Sequence, residues 1–132
     1  MKNKICIVLS IYNDLITSKL YSGAKKELKK YKYKKIDLFK VPGAFEIPFV
    51  ISKLANKYDG FIAIGCIIKG ETANFELISR SITDAIMKIS ISKKKPICNS
   101  ILTLDNRKQA NKRFNRGKEA AQALHRILQI DF

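Results

Sequence analysis

Apolar positions fall along this chain in two alternating rhythms. Residues 4–10, Lys-Ile-Cys-Ile-Val-Leu-Ser, form a nearly continuous apolar run. Such a run suits a strand covered on both faces, as in a parallel sheet. From Leu15 the period changes. Ile16, Leu20, Ala24 and Leu28 recur at helical spacing with lysines opposite, which predicts an amphipathic helix with Asp14 as its N-cap. Residues 35–41 alternate and read as a second strand, ended by Pro42-Gly43. A second helix starts around residues 44–48, where Pro48 is tolerable in the first turn, and Ile47, Val50, Ile51, Leu54 and Ala55 form its buried face. Residues 61–68 are a third strand. A helix follows from about Phe75, with Ile78, Ile82, Ala85, Ile86 and Ile89 inward. Residues 97–103 are a fourth strand, Asp105-Asn106 a turn or cap, and about 106–129 a last helical stretch interrupted near Asn115-Arg116-Gly117.

Four strands alternate with four helices through short connections. That order predicts a three-layer α/β/α sandwich with a four-stranded parallel sheet and right-handed crossovers. The pattern leaves strand order open. With 132 residues and 46% hydrophobic content the chain fits one domain, 1–132, with a real core. No linker, repeat or low-complexity segment interrupts it. No run is long enough to span a bilayer, and the apolar N-terminal run lacks a signal-peptide cleavage pattern, so the expected compartment is cytoplasmic.

The net charge of +15, from 26 Lys+Arg against 11 Asp+Glu, would attract nucleic acid, anionic membranes or anionic small substrates. The excess is mostly lysine scattered over predicted helix faces and loops, and aromatics are not interleaved with it apart from Tyr31 and Tyr33. Solvated surface is therefore the better reading, and neither nucleic acid nor membrane is expected as a partner. Cys6, Cys66 and Cys98 have no paired spacing and each lies in a strand-like run; they read as buried hydrophobes. The only histidine, His125, is late in the last helix and cannot build a metal site alone. No metal is expected.

In a parallel sheet all strands point one way, so the breaker-rich loops Ser10–Asp14, Val41–Pro48 and Ile68–Asn74 gather at one edge, with Asn99 to Thr103 as a fourth segment. No G-x-G-x-x-G, G-x-x-x-x-G-K-[ST] or G-x-S-x-G is present, which argues against dinucleotide, P-loop and α/β-hydrolase chemistry. Gly70-Glu71-Thr72 before a helix can bind an anion on backbone N–H groups. It equally reads as an ordinary helix start with Thr72 as N-cap and Phe75 as first core residue. Residues 42–46, Pro-Gly-Ala-Phe-Glu, could be a plain turn with Glu46 stabilising a helix start, or exposed backbone holding a polyol. Tyr12 could be a stacking platform for a heterocycle or a rim aromatic.

Taken together these stretches resemble one family. Tyr12-Asn13-Asp14-Leu15-Ile16-Thr17, Val41-Pro42-Gly43-Ala44-Phe45-Glu46-Ile47-Pro48, Gly65-Cys66-Ile67-Ile68-Lys69-Gly70-Glu71-Thr72, Ile101-Leu102-Thr103 and Asn115-Arg116-Gly117-Lys118-Glu119-Ala120-Ala121 are similar, in order and spacing, to 6,7-dimethyl-8-ribityllumazine synthases of riboflavin biosynthesis. The Val41–Pro48 segment is the most specific of them. The resemblance implies a flavodoxin-like fold, no cofactor, and condensation of 5-amino-6-ribitylaminouracil with 3,4-dihydroxy-2-butanone 4-phosphate. It implies Tyr12 stacked on the pyrimidinedione, Ala44, Phe45 and Glu46 along the ribityl chain, and Cys66, Ile67 and Ile68 against the uracil edge. Glu71, Thr72 and Arg113 would surround the phosphate. Sites would lie between subunits of a homopentamer, with Asn99 and Arg113 from the neighbour.

The chain departs from the family pattern at three places. Asn74 stands where a proton-donating histidine is expected, and asparagine cannot shuttle a proton near neutrality. Loss of such a group costs about 10²–10⁴-fold where proton transfer limits the rate, so slowed activity is expected. A second reading is a non-catalytic descendant that binds lumazine or flavin, or only assembles. Asn99 stands at a position that is often phenylalanine. The segment between Arg113 and Gly117 is shortened by several residues, removing a lysine near the phosphate, a role Arg116 would take over. The chain begins directly at its first strand, which favours a free pentamer over a larger shell.

Overall fold

A computed structural model describes residues 1–132 as four strands and four helices in strict alternation. The strands are β1 (Lys4–Ser10), β2 (Lys35–Val41), β3 (Gly60–Ile68) and β4 (Ile97–Leu104). The helices are α1 (Asp14–Lys30), α2 (Ile47–Leu54), α3 (Phe75–Lys93) and α4 (Asn115–Leu128). The sheet order is β2-β1-β3-β4 and every pairing is parallel.

Burial explains why these runs are strands. All nine residues of β3 are buried, because β3 is central and carries helices on both faces. Along β1, Ile5 and Ile7 join one core with Leu20, Leu28 and Leu124 of α1 and α4, while Cys6 and Val8 join another with Ile51, Ile82 and Ile86 of α2 and α3. Period-two alternation thus sends successive residues into separate cores. β2 is an edge strand and is only half-buried.

The β1-to-β2 crossover steps one way across the sheet and the β2-to-β3 crossover steps back. Right-handed connections then place α1 and α2 on opposite faces. A crevice opens where the chain diverges, between the carboxyl ends of β1 and β3.

Three local expectations need correction. The N-cap of α1 is Asn13, and Asp14 is the first helical residue. Asn13 has φ 62°, ψ 45°, a left-handed conformation that asparagine tolerates better than most residues. The last helical stretch is two pieces: a 3₁₀ segment, Arg107–Lys112, then α4. The break falls at residues 113–114, and Gly117 lies inside α4. Gly117 is there for packing: a Cβ on it would run into the Leu20 carbonyl oxygen, so its absence lets α4 lie directly on the backbone of α1. Residues 44–46 are likewise a 3₁₀ turn that feeds α2, with Pro48 in the first turn.

Candidate functional site

The three breaker-rich loops do meet at the carboxyl edge of the sheet. The Ile11 N–H donates to the Val41 carbonyl at 2.9 Å and the Tyr12 N–H to the Pro42 carbonyl at 3.2 Å, which ties the loop after β1 to the loop after β2. Gly65 brings the 44–47 segment onto β3: its missing Cβ would lie 3.3 Å from Ala44 Cβ and 3.5 Å from Ile47 Cδ1. The Asn13 side-chain amide donates to the Cys66 carbonyl at 3.2 Å, joining the loop after β1 to the end of β3.

On this frame Tyr12 and Phe45 project outward, 51% and 65% exposed, as aromatic surfaces with no aromatic partner. Glu46 is half-buried. Its Oε1 accepts from the Gly43 N–H at 2.8 Å, so one carboxylate oxygen stabilises the turn and the other is free. Cys66, Ile67 and Ile68 are buried strand residues; a ligand at this edge would meet their backbone. Burial pushes the Cys66 thiol up to about 11, with Arg107 lowering and Glu71 raising it to lesser extents. At neutral pH it is a packed thiol and not a nucleophile.

The turn between β3 and α3 differs from the expected helix cap. Thr72 is not the N-cap. It makes an isolated bridge with Lys69, and Asn74 caps α3 at φ 56°, ψ 44°. The Asn74 carbonyl accepts from the Ile78 N–H at 2.9 Å, and its exposed side chain makes no capping bond. The amide is therefore free to face a ligand. A cleft of about 410 Å³ is lined by Lys69, Asn74, Phe75, Glu76 and Leu77. A second cleft of about 550 Å³, which also touches Lys69, lies against Ile68, Glu71, Asn106 and Arg107.

Sequence reasoning missed Arg107 altogether and gave Asn13 no role. Arg107 donates from Nε and Nη2 to the two oxygens of Glu71, both at 2.9 Å, and from Nη2 to the Asn13 side-chain oxygen at 2.6 Å. Nothing in the local pattern around Asp105-Asn106 announces this contact, which joins residues 94 positions apart. The capping expectation there holds: the Asn106 side chain accepts from the Gln109 N–H at 3.2 Å.

Asn99 is not brought to these loops within one chain, and Arg113 makes no hydrogen bond to them. Asn99 pairs in register with Ala63, well before the carboxyl end of β4, so it does not join the loop cluster as a fourth segment. It is exposed, and its Oδ1 accepts from the Ile101 N–H at 2.8 Å. Arg113 caps the 3₁₀ segment and reaches the Thr103 carbonyl at 3.5 Å. Arg116 stands 3.8 Å from Glu119 and shares with Asn99 a cleft of about 530 Å³ between β4 and α4. Polar groups thus fall into two sets, one on the loops and one along the β4–α4 edge. A further depression, about 620 Å³, lies at the opposite end of β4 around Pro96, Cys98, Ile127 and Phe132 and contains no acid–base pair. Nowhere do three or more His, Cys, Asp or Glu side chains gather as a metal site, and no helix is long and apolar enough to cross a membrane.

The pattern of the 6,7-dimethyl-8-ribityllumazine synthase family matches residues 2–131. Curated relatives of that name agree over nearly the whole chain. A Leuconostoc mesenteroides protein is 39% identical, covering 96% of this chain and 87% of its own. A Limosilactobacillus reuteri protein is 36% identical, covering 97% and 89%. An archaeal one, from Thermococcus kodakarensis, is 36% identical, covering 91% and 81%.

Proposed function

The chain belongs to the 6,7-dimethyl-8-ribityllumazine synthase family, transferases of riboflavin biosynthesis, and we propose that it condenses 5-amino-6-ribitylaminouracil with 3,4-dihydroxy-2-butanone 4-phosphate at the carboxyl edge of its sheet. The observation that carries this reading is the convergence of the loops after β1, β2 and β3, with Tyr12 and Phe45 exposed and one oxygen of Glu46 unengaged.

The roles follow from what each group offers. Tyr12 presents a flat ring on which a pyrimidinedione stacks. Ala44, Phe45 and Glu46 take the ribityl chain, the free Glu46 oxygen accepting from its hydroxyls. Backbone groups of Cys66, Ile67 and Ile68 meet the uracil edge. The turn at Glu71 and Thr72, with Arg113, holds the phosphate, for which arginine's fork of donors is suited. The substrate amine attacks the ketone and expels water to give a Schiff base. Phosphate then leaves, and the ring closes with loss of a second water. The protein contributes mainly by holding two polar reactants in register, which can replace much of the need for strong acid–base catalysis. Asn74 hydrogen-bonds where a proton donor would act, so turnover is slow but present.

The site is completed in a homopentamer, where Asn99 and Arg113 of one subunit face the loops of the next, with Arg116 on the phosphate side. Two observations support this. The polar residues form two separate half-sites on one chain. Leu77, Met87 and Ile91 leave apolar surface exposed along α3, and Phe45 and Phe49 are also exposed; such surface is normally covered. Residues 1–132 act as one unit in the cytoplasm. The test is an assay with both substrates at high enzyme concentration, with light scattering for size. Lumazine formation by a pentamer is expected; no product while a substrate analogue still binds would favour a non-catalytic binding protein.

A further inference from the structure

We propose that Arg107 is a positioning residue that sets both halves of the site at once: it cancels the charge of Glu71 in the phosphate turn and, through Asn13, fixes the Cys66 carbonyl at the heterocycle edge. This rests on the functional reading above and deepens it.

A carboxylate in a turn that receives a phosphate is a liability, since like charges repel at short range. Glu71 is not left free. The side-on fork of Arg107 places one donor on each carboxylate oxygen at 2.9 Å, the planar arrangement that lysine cannot reproduce. Both residues remain substantially accessible, with side-chain exposures of 53% and 33%. An ion pair so placed adds little to folding stability; its effect falls on what approaches the turn. The same Nη2 also donates to Asn13 Oδ1 at 2.6 Å. That contact orients the amide, so the Asn13 nitrogen faces the Cys66 carbonyl at 3.2 Å. Asn13 sits in a left-handed conformation with no capping bond of its own, and the Arg107 contact is what holds its side chain. One guanidinium therefore spans the segments after β1, β3 and β4, across the crevice where the crossovers diverge.

The test uses the full-length protein and the variants Arg107→Gln, Arg107→Lys and Arg107→Gln with Glu71→Gln, each checked for an unchanged denaturation midpoint. Arg107→Gln is expected to raise KM for the phosphate-bearing substrate about tenfold, the equivalent of one charge-assisted hydrogen bond, with kcat much less affected. Its KM for the pyrimidine substrate should rise too. Adding Glu71→Gln should restore the first and not the second. Arg107→Lys should keep part of the phosphate affinity while losing the pyrimidine side. Unchanged KM values in Arg107→Gln, or a phosphate-side loss that Glu71→Gln does not relieve, would overturn the proposal. Inorganic phosphate binding by calorimetry gives a separate readout. If the wild type makes no lumazine, the functional reading fails, while weaker phosphate binding in Arg107→Gln, restored by Glu71→Gln, would still support the Arg107 assignment on the phosphate side.

Discussion

The two ends of the sheet differ in how many of their polar and aromatic groups stay open to solvent. At the amino end they are paired off inside the chain. The Tyr33 hydroxyl lies 2.7 Å from His125 Nδ1, the His125 ring stacks on Tyr31 at 3.9 Å, and the Tyr31 hydroxyl donates to Glu27 at 2.7 Å. Gln122 adds a bond to the same carboxylate at 3.2 Å. The Tyr31 bond leads the causes that hold Glu27 below the usual carboxylate range. Tyr58 donates to Asp37, and Asp59 and Lys4 exchange backbone and side-chain bonds of 2.7 and 2.8 Å. At the carboxyl end Arg107, Glu71, Asn13 and the Cys66 carbonyl are bonded to one another, but Tyr12, Phe45 and the Asn74 amide are left outward; the buried hydroxyls of Ser10, Thr17, Ser79 and Ser100 have no partner in the chain. A saturated network stabilises a single arrangement. Exposed groups without a partner in the chain add little to stability and stay available to a ligand.

The comparison can be broken from several sides. The largest expected effect is on the scaffold that both ends share. Gly117→Ala drives a Cβ into the Leu20 carbonyl and should cost roughly 3 kcal/mol by overpacking, offset by about 1 kcal/mol of helix propensity; denaturant unfolding measures the difference. Next is the closed end. His125→Ala removes a stacked ring and orphans the buried Tyr33 hydroxyl, and should cost about 1–2 kcal/mol in stability with kcat unchanged. A comparable loss of activity would show that the ends are not separate. The open end should behave in mirror fashion. Tyr12→Ala should shift stability by less than about 0.5 kcal/mol yet weaken binding of a pyrimidinedione analogue about 3–10-fold, read by titration calorimetry.

The smallest effect belongs to the interval between about pH 7 and 9. Burial raises Cys6 to about 12 and Cys66 and Cys98 to about 11, from an ordinary 9.0, and burial raises Tyr58 as well. Groups raised in this way stabilise the fold fully below their unfolded values, and that contribution is lost as pH rises through the folded ones. Unfolding midpoints should hold between about pH 7 and 9 and fall from there toward about 12.

Much of this was legible along the chain because burial writes itself into hydrophobic period. β1 and β3 announced themselves as two-sided strands, and α1 to α3 as one-sided helices. The order β2-β1-β3-β4 was not legible, since it depends on which strands pair and not on what any one buries. The split before α4 was misread because Gly117 looks like a breaker in sequence and is a contact point in space. Thr72 looked like a cap by residue preference, but the turn leaving β3 needs a left-handed residue at its last position, and Asn74 supplies it. The loops of the site were readable as breaker clusters on one edge. The bridge from Arg107 to Glu71 and Asn13 was not, because a surface arginine far along the chain carries no periodic signal.

On the proposed function, the open end holds two reactants well but lacks a proton shuttle at Asn74. The pH–rate profile of the wild type beside Asn74→His tests it most directly. His125, the chain's only histidine, is committed to Tyr33 and Tyr31 at the far end. The wild type should therefore give slow turnover that is flat between about pH 6 and 8. Asn74→His, which a left-handed position also tolerates, should be faster by on the order of 10²-fold and should acquire an ionisation near about 6.5. A wild-type profile that already bends in the neutral range, or a histidine variant no faster than its parent, would contradict the account.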